Sequence, residues 1–250
     1  MNSPSAHPMC LLSFGDADNE VWGAALQAGG AALQAGDAAT LFVSRAGRAA
    51  ATDKRQIEIS EDDEGWRVCG TGFDLRFTAV GDDGRAPSSN GDELCHVEGR
   101  VTLPEGEREV RCPGTVTIHD GSQTGRVESL RAVTGWLGED RGWALRALRA
   151  DDRQDQEHDV VLATLFDPDG WIPVEESRLS TTFRPGEQPA RASLELWVGE
   201  GDELYPRRAA AEALAPPSEA LGDRLRLSLT PLLCHAGGLD GTGVYLIAHF

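Results

Sequence analysis

Five side chains stand where strand alternation or a turn would let them move protons. They are His119 and Asp120 at the end of an alternating run, Glu176 beside Trp171, Glu195 between Leu194 and Leu196, and Tyr245 in the last apolar segment. Histidines and carboxylates are the common general acids and bases, and a carboxyl stays protonated near neutral pH only when apolar surroundings raise its pKa. Each residue also has a plain structural reading. Asp120-Gly121 is an ordinary turn, Glu176 and Glu195 can face solvent, and Tyr245 can cap a barrel end. A second group is aromatic: Trp136, Trp143, Trp171 and Trp197. Indole walls suit a flat or isoprenoid ligand and can stabilise a developing carbocation through the π face, whereas the alternative is simple packing. Arg146, in the series Arg141, Arg146, Arg149 and Arg153, offers a basic rim for a carboxylate or phosphate on a ligand. The interspersed Glu139, Asp140, Asp151 and Asp152 read equally as its paired, solvated surroundings.

Other chemistries are excluded by what is missing. Lys54 is the single lysine and lies in the polar stretch Thr52-Asp53-Lys54-Arg55-Gln56, so imine chemistry has no buried amine. No G-x-x-x-x-G-K-[ST] loop is present, and Gly70-Thr71-Gly72 and Gly241-Thr242-Gly243 lack the third glycine of a dinucleotide site. Gly121-Ser122-Gln123-Thr124-Gly125 has its serine one place too early for a nucleophile elbow. The six histidines show no metal-ligand spacing, and the adjacent Cys234 and His235 would point to opposite faces of a strand, so no metal and no cofactor is expected.

The formal charge of −18, from 41 acids against 23 bases, argues against nucleic acid and anionic membrane partners. Five cysteines, odd in number and without a C-x-x-C pair, read as reduced thiols of a cytoplasmic protein; no signal peptide or membrane span is visible. A monomer and a homodimer fit equally.

The elements that must position these groups are strands. The segments 94–103 and 109–118 alternate with period two around Pro104-Glu105-Gly106-Glu107, which predicts a β-hairpin. Further strands are expected at 40–44, 56–60, 66–68, 73–80, 159–166, 171–175, 178–183, 192–198, 224–229 and 243–249, with WALRALR at 143–149 also read as strand. The one helix expected is short and peripheral, Pro206–Leu214, from RRAAAEALA after an early proline and before Pro216-Pro217. Gly81–Asp92 reads as a long hairpin loop, and DDRQDQEHD at 151–159 as an exposed one.

The opening CLLSFGD of 10–16 with VWGA of 21–24, the central VEGRVTLPEGEREVRCPGTVTI of 97–118 and LRAVTGWLGEDRGWALRAL of 130–148 resemble the lipocalin-like (calycin) superfamily that includes bacterial carotenoid 1,2-hydratases. So do SRLSTTF at 177–183 and LELW at 194–197. That superfamily also holds terpenoid cyclases and Diels-Alderases. The resemblance implies an all-β, mostly antiparallel protein of two lipocalin-like units, 1–122 and 123–250, enclosing a small hydrophobic molecule. It further implies a cofactor-free enzyme that cyclises, isomerises or hydrates a polyene, terpenoid or polyketide intermediate. A carrier with the same cavity is the alternative, and a structural domain with a filled core is a third. Hydration and ring closure need a proton donor inside an apolar cavity, whereas a Diels-Alder or isomerisation step can rest on shape and one or two hydrogen-bond donors. The chain departs from the hydratase pattern at one point. Hydratase-like members carry Asp-His-x-Trp-Gly after the strand matching 110–118, where this chain reads Thr117-Ile118-His119-Asp120-Gly121-Ser122.

Overall fold

The computed structural model describes residues 9–28, 37–52, 57–81, 91–119, 127–150, 159–186, 188–200, 203–221 and 225–250. Among them every regular element is a strand, and the strands form two antiparallel sheets. The first sheet holds β1 (Met9–Asp16), β2 (Val21–Ala28), β3 (Asp37–Ser44), β4 (Ala49–Thr52), β5 (Ile57–Asp62), β6 (Gly65–Gly70), β7 (Phe73–Ala79), β8 (Gly91–Leu103) and β9 (Gly106–His119), in the order β4-β3-β2-β1-β9-β8-β7-β6-β5. The second holds β10 (Val127–Trp136), β11 (Gly142–Ala150), β12 (Val160–Asp167), β13 (Gly170–Pro173), β14 (Glu176–Arg184), β15 (Gln188–Glu200), β16 (Glu203–Ala213), β17 (Ser218–Leu221), β18 (Arg226–Ala236) and β19 (Leu239–His249). Its order is β13-β12-β11-β10-β19-β18-β16-β15-β14, with β17 paired to β18.

Each sheet curls over its own apolar interior. In the first, alternate residues of the central strands, among them Leu12, Phe14, Phe77, Val97 and Val116, form one cluster, and Phe14 meets Phe77 edge to face. In the second, Val133, Trp143, Leu145, Leu194, Leu196 and Tyr245 form another. The opposite faces of the same central strands pack on each other in a third cluster that joins the sheets, with Leu11, Trp22, Leu26 and Leu41 against Leu130, Trp136, Leu148 and Leu246. This accounts for β1, buried along all eight residues. A strand covered on both faces reads as a continuous apolar run rather than an alternating one.

Two indole donors cross that seam in opposite directions. Trp22 Nε1 donates to Thr242 Oγ1 at 2.7 Å, and Trp136 Nε1 donates to Thr115 Oγ1 at 3.0 Å.

The predicted hairpin is present as β8 and β9, closed by Leu103 opposite Gly106, whose φ of 128° only glycine adopts readily. The predicted helix is not. Residues 206–213 belong to β16, where Ala209 and Ala211 are buried and Ala210 and Glu212 look outward. Tertiary pairing overrides the alanine-rich local preference. Pro206 is tolerated because β16 pairs with β18 only from Ala209 onward, so its missing N–H breaks no ladder bond on that side. Most of the Gly81–Asp92 loop, and 151–158 of the second one, lie outside the described residues.

Candidate functional site

At one end of the second sheet residues of the β10–β11, β12–β13 and β18–β19 turns and of the strands β15 and β16 surround a cleft of about 600 Å³. Its apolar lining comes from Leu137, Trp143, Leu165, Phe166, Leu196, Ala209 and Ala236, and Arg141, Arg207, Arg208 and Asp167 also border it. Trp143 is 2% exposed, and among the described residues its indole N–H has no hydrogen-bond partner. A buried donor left unsatisfied costs about 1–3 kcal/mol. The ring lies against Gly135, where a methyl group would overlap its six-membered ring. Gly135 is therefore the reason an indole fits at this depth.

Leu196, Arg207 and Ala209 share one face through the register that sets Leu196 opposite Arg207 and Leu194 opposite Ala209. Arg207 stands at the mouth with its guanidinium over the Tyr205 ring at 5.5 Å. Arg208 is turned to the other face, where its Nε donates to Glu195 Oε1 at 3.2 Å.

Deeper in the same interior the ends of the sheet are tied together. Tyr245 is buried, its hydroxyl 3.0 Å from Thr181 Oγ1; burial pushes its pKa up, while Thr181 and Arg131 oppose the shift. Arg131 and Arg149 both hold Asp159, at 2.6 and 3.1 Å.

A second polar constellation lies in the seam. Asp92 Oδ1 accepts from Arg146 Nη1 at 2.5 Å and from Thr117 Oγ1 at 2.7 Å, and Oδ2 accepts from Thr164 Oγ1 at 2.7 Å. The Asp92 and Arg146 side chains are 2% and 6% exposed. His119 lies on the same face of β9 as Thr117, opposite Met9, and is buried. The carboxylate is thus saturated by three donors from both sheets and acts as an inter-unit tie.

The ten residues singled out from sequence are dispersed. Trp143 lines the cleft and Tyr245 lies in the same interior, whereas His119, Trp136 and Arg146 lie in the seam. Glu195 and Trp197 point away from the interior, to the face opposite Leu194 and Leu196. Glu176 is exposed and paired with Arg178 at 2.8 Å, and Trp171 is 70% exposed on β13. Asp120 lies outside the described residues. The buried thiols are unreactive: desolvation pushes Cys234 up to about 12 and raises Cys10 and Cys95 still further. No group of three or more potential metal ligands occurs among the described residues.

Arg207 and Asp92 were not among those ten. Reading 206–214 as a helix concealed the two-residue period that places Arg207 with Ala209 and Ala211. Asp92 closed what looked like a polar loop, and nothing local announces its partner 54 residues away.

The architecture is that of the two-unit lipocalin-like proteins. Kievitone hydratase from Nectria haematococca superposes with a TM-score of 0.58 at 9% identity, covering 98% of this chain and 89% of that one. CghA superposes with a TM-score of 0.59 at 12% identity, over 99% and 88% of the two chains. An AttH protein from Nitrosomonas europaea gives 0.57 at 11% identity, over 100% and 96%. At these identities the likeness is one of fold. No family model and no curated protein matches the sequence.

Proposed function

We propose that the chain is a cofactor-free enzyme that binds an apolar polyene, terpenoid or polyketide intermediate in the cleft of the second unit and promotes its cyclisation or isomerisation. The observation that carries this reading is a cleft of about 600 Å³ with a largely apolar lining and the Trp143 indole, whose N–H is unpartnered among the described residues, in its wall. The walls fix a reactive conformer, and a small shift of the Trp143 ring would bring its buried N–H to a substrate carbonyl and draw electron density toward it. Likeness in fold to a hydratase and to CghA is consistent with this. Hydration fits less well, because it needs a proton donor beside the alkene and Asp167 is the only acid among the described lining residues.

That same scarcity of proton-moving groups favours, as a second reading, a carrier that binds without reaction. Incubation with polyenes bearing a carbonyl group, followed by chromatography and mass spectrometry, separates the two. The enzyme yields a product of unchanged mass but altered retention, and Trp143→Phe slows its formation at least tenfold. A ligand that binds to saturation and returns unaltered refutes catalysis.

A further inference from the structure

We infer that the ligand of this cleft ends in an anionic oxygen group, a carboxylate or a phosphate, held at the mouth by Arg141 and Arg207. The inference rests on the cleft being the binding site and specifies the class of molecule it takes.

The argument begins with charge. In a chain of net charge −18 carboxylates are abundant, and most described arginines hold one, as Arg67 holds Asp74, Arg76 holds Asp62 and Arg208 holds Glu195. Arg141 and Arg207 both border the cleft, and among the described residues neither has a carboxylate within ion-pair distance. Arg141 comes from the connection before β11 and Arg207 from within β16, so their meeting at one opening follows from the fold and not from a local run of basic residues. Arg207 is braced over Tyr205, which limits its rotamers and lowers the entropy lost on gripping an anion. Below them the lining is apolar down to the buried Trp143. An apolar base under a mouth with two guanidiniums fits an amphipathic anion, its tail inside and its head at the surface. Asp167 also borders the cleft and partly offsets the two guanidiniums; because the attraction for the anion comes from the guanidiniums, binding should weaken as salt screens them.

Two matched pairs of ligands test this by titration of intrinsic fluorescence: retinoic acid against retinol, and farnesyl monophosphate against farnesol. The acid or phosphate is expected to bind at least tenfold more tightly than its alcohol at low salt. The preference should fall below about threefold in Arg141→Gln/Arg207→Gln with alcohol binding unchanged. Ala236→Trp, which fills the cleft from a half-buried position, should abolish both. Whichever pair shows the larger preference identifies carboxylate or phosphate as the head group. Equal binding of anion and alcohol overturns the inference but leaves the cleft as the binding site. A preference that survives the double arginine variant or Ala236→Trp overturns it too. Failure of all four ligands to bind overturns the cleft reading itself.

Discussion

Replacing Asp92 by alanine strands two hydroxyls and deprives a guanidinium of its carboxylate, in a seam where neither charged side chain is more than 6% exposed. Breaking one side of a buried ion pair costs about 3–5 kcal/mol, and each stranded hydroxyl adds about 1 kcal/mol where it finds no water. Relaxation recovers part of this sum, so Asp92→Ala is expected to lose about 4 kcal/mol. At roughly 2–4 °C per kcal/mol for a chain of this size, the midpoint falls by about 8–16 °C. Urea unfolding followed by both tryptophan emission and far-ultraviolet circular dichroism measures the loss. Arg146→Met alone should cost a similar amount, and Asp92→Leu/Arg146→Met should cost clearly less than the sum of the singles, because the double variant removes both partners of the pair together. A loss below about 1 kcal/mol for Asp92→Ala, or additivity in the cycle, refutes the view that this pair ties the units together.

The tryptophans give a contrast: Trp136→Phe abandons the bond to Thr115 and should cost about 1–2 kcal/mol beyond lost packing, whereas Trp143→Phe gives up no bond; equal losses in denaturant titrations would contradict the assignment. Gly135→Ala forces a methyl into the Trp143 ring and should destabilise by about 1–3 kcal/mol while changing ligand binding; a neutral, fully binding variant would show that the indole is free to shift. Glu93 is half-buried, and desolvation, with the nearby Glu61, pushes its pKa from an ordinary 4.5 to about 7. The folded state therefore binds this proton more tightly than the unfolded one. Its contribution to stability is full below about pH 4.5 and is lost as pH rises through 7. The shift caps the effect at about 3 kcal/mol, and half-exposure screens it to about 1–2 kcal/mol. Glu93→Gln should gain that much at pH 8 relative to pH 4.5, and a gain independent of pH would contradict the cause assigned.

Legibility from sequence followed burial. The β8–β9 hairpin was readable because its outer halves have one wet face, so Val97, Val101, Leu103 and Val110 alternate with exposed neighbours, most of them polar. β1 was not readable as a strand from alternation, because Leu11 serves the seam while Leu12 and Phe14 serve the interior, and burial on both sides erases the period. β16 was read as a helix because a run of alanines carries a strong local preference and only a weak facial pattern. Of the candidate site, Trp143 was accessible as an aromatic on an apolar face. The cleft's shape, the orientation of Arg207 and the Asp92–Arg146 pair depend on which strands lie side by side. Those pairings join residues far apart in the chain and leave no short-range mark.

The seam also has a bearing on how the molecule is made. The first sheet needs β9 to close against β1, so it can be completed once His119 has emerged from the ribosome, yet the face carrying Leu11, Trp22 and Leu41 has no cover until the second sheet forms. Roughly 130 further residues must follow, which at about 5–20 residues per second takes on the order of 6–26 s. Throughout that interval the nascent chain displays an apolar surface together with an indole N–H whose threonine acceptor has yet to be synthesised. Synthesis rate and chaperone supply, as much as the stability of the finished protein, should therefore set how much soluble material a cell accumulates.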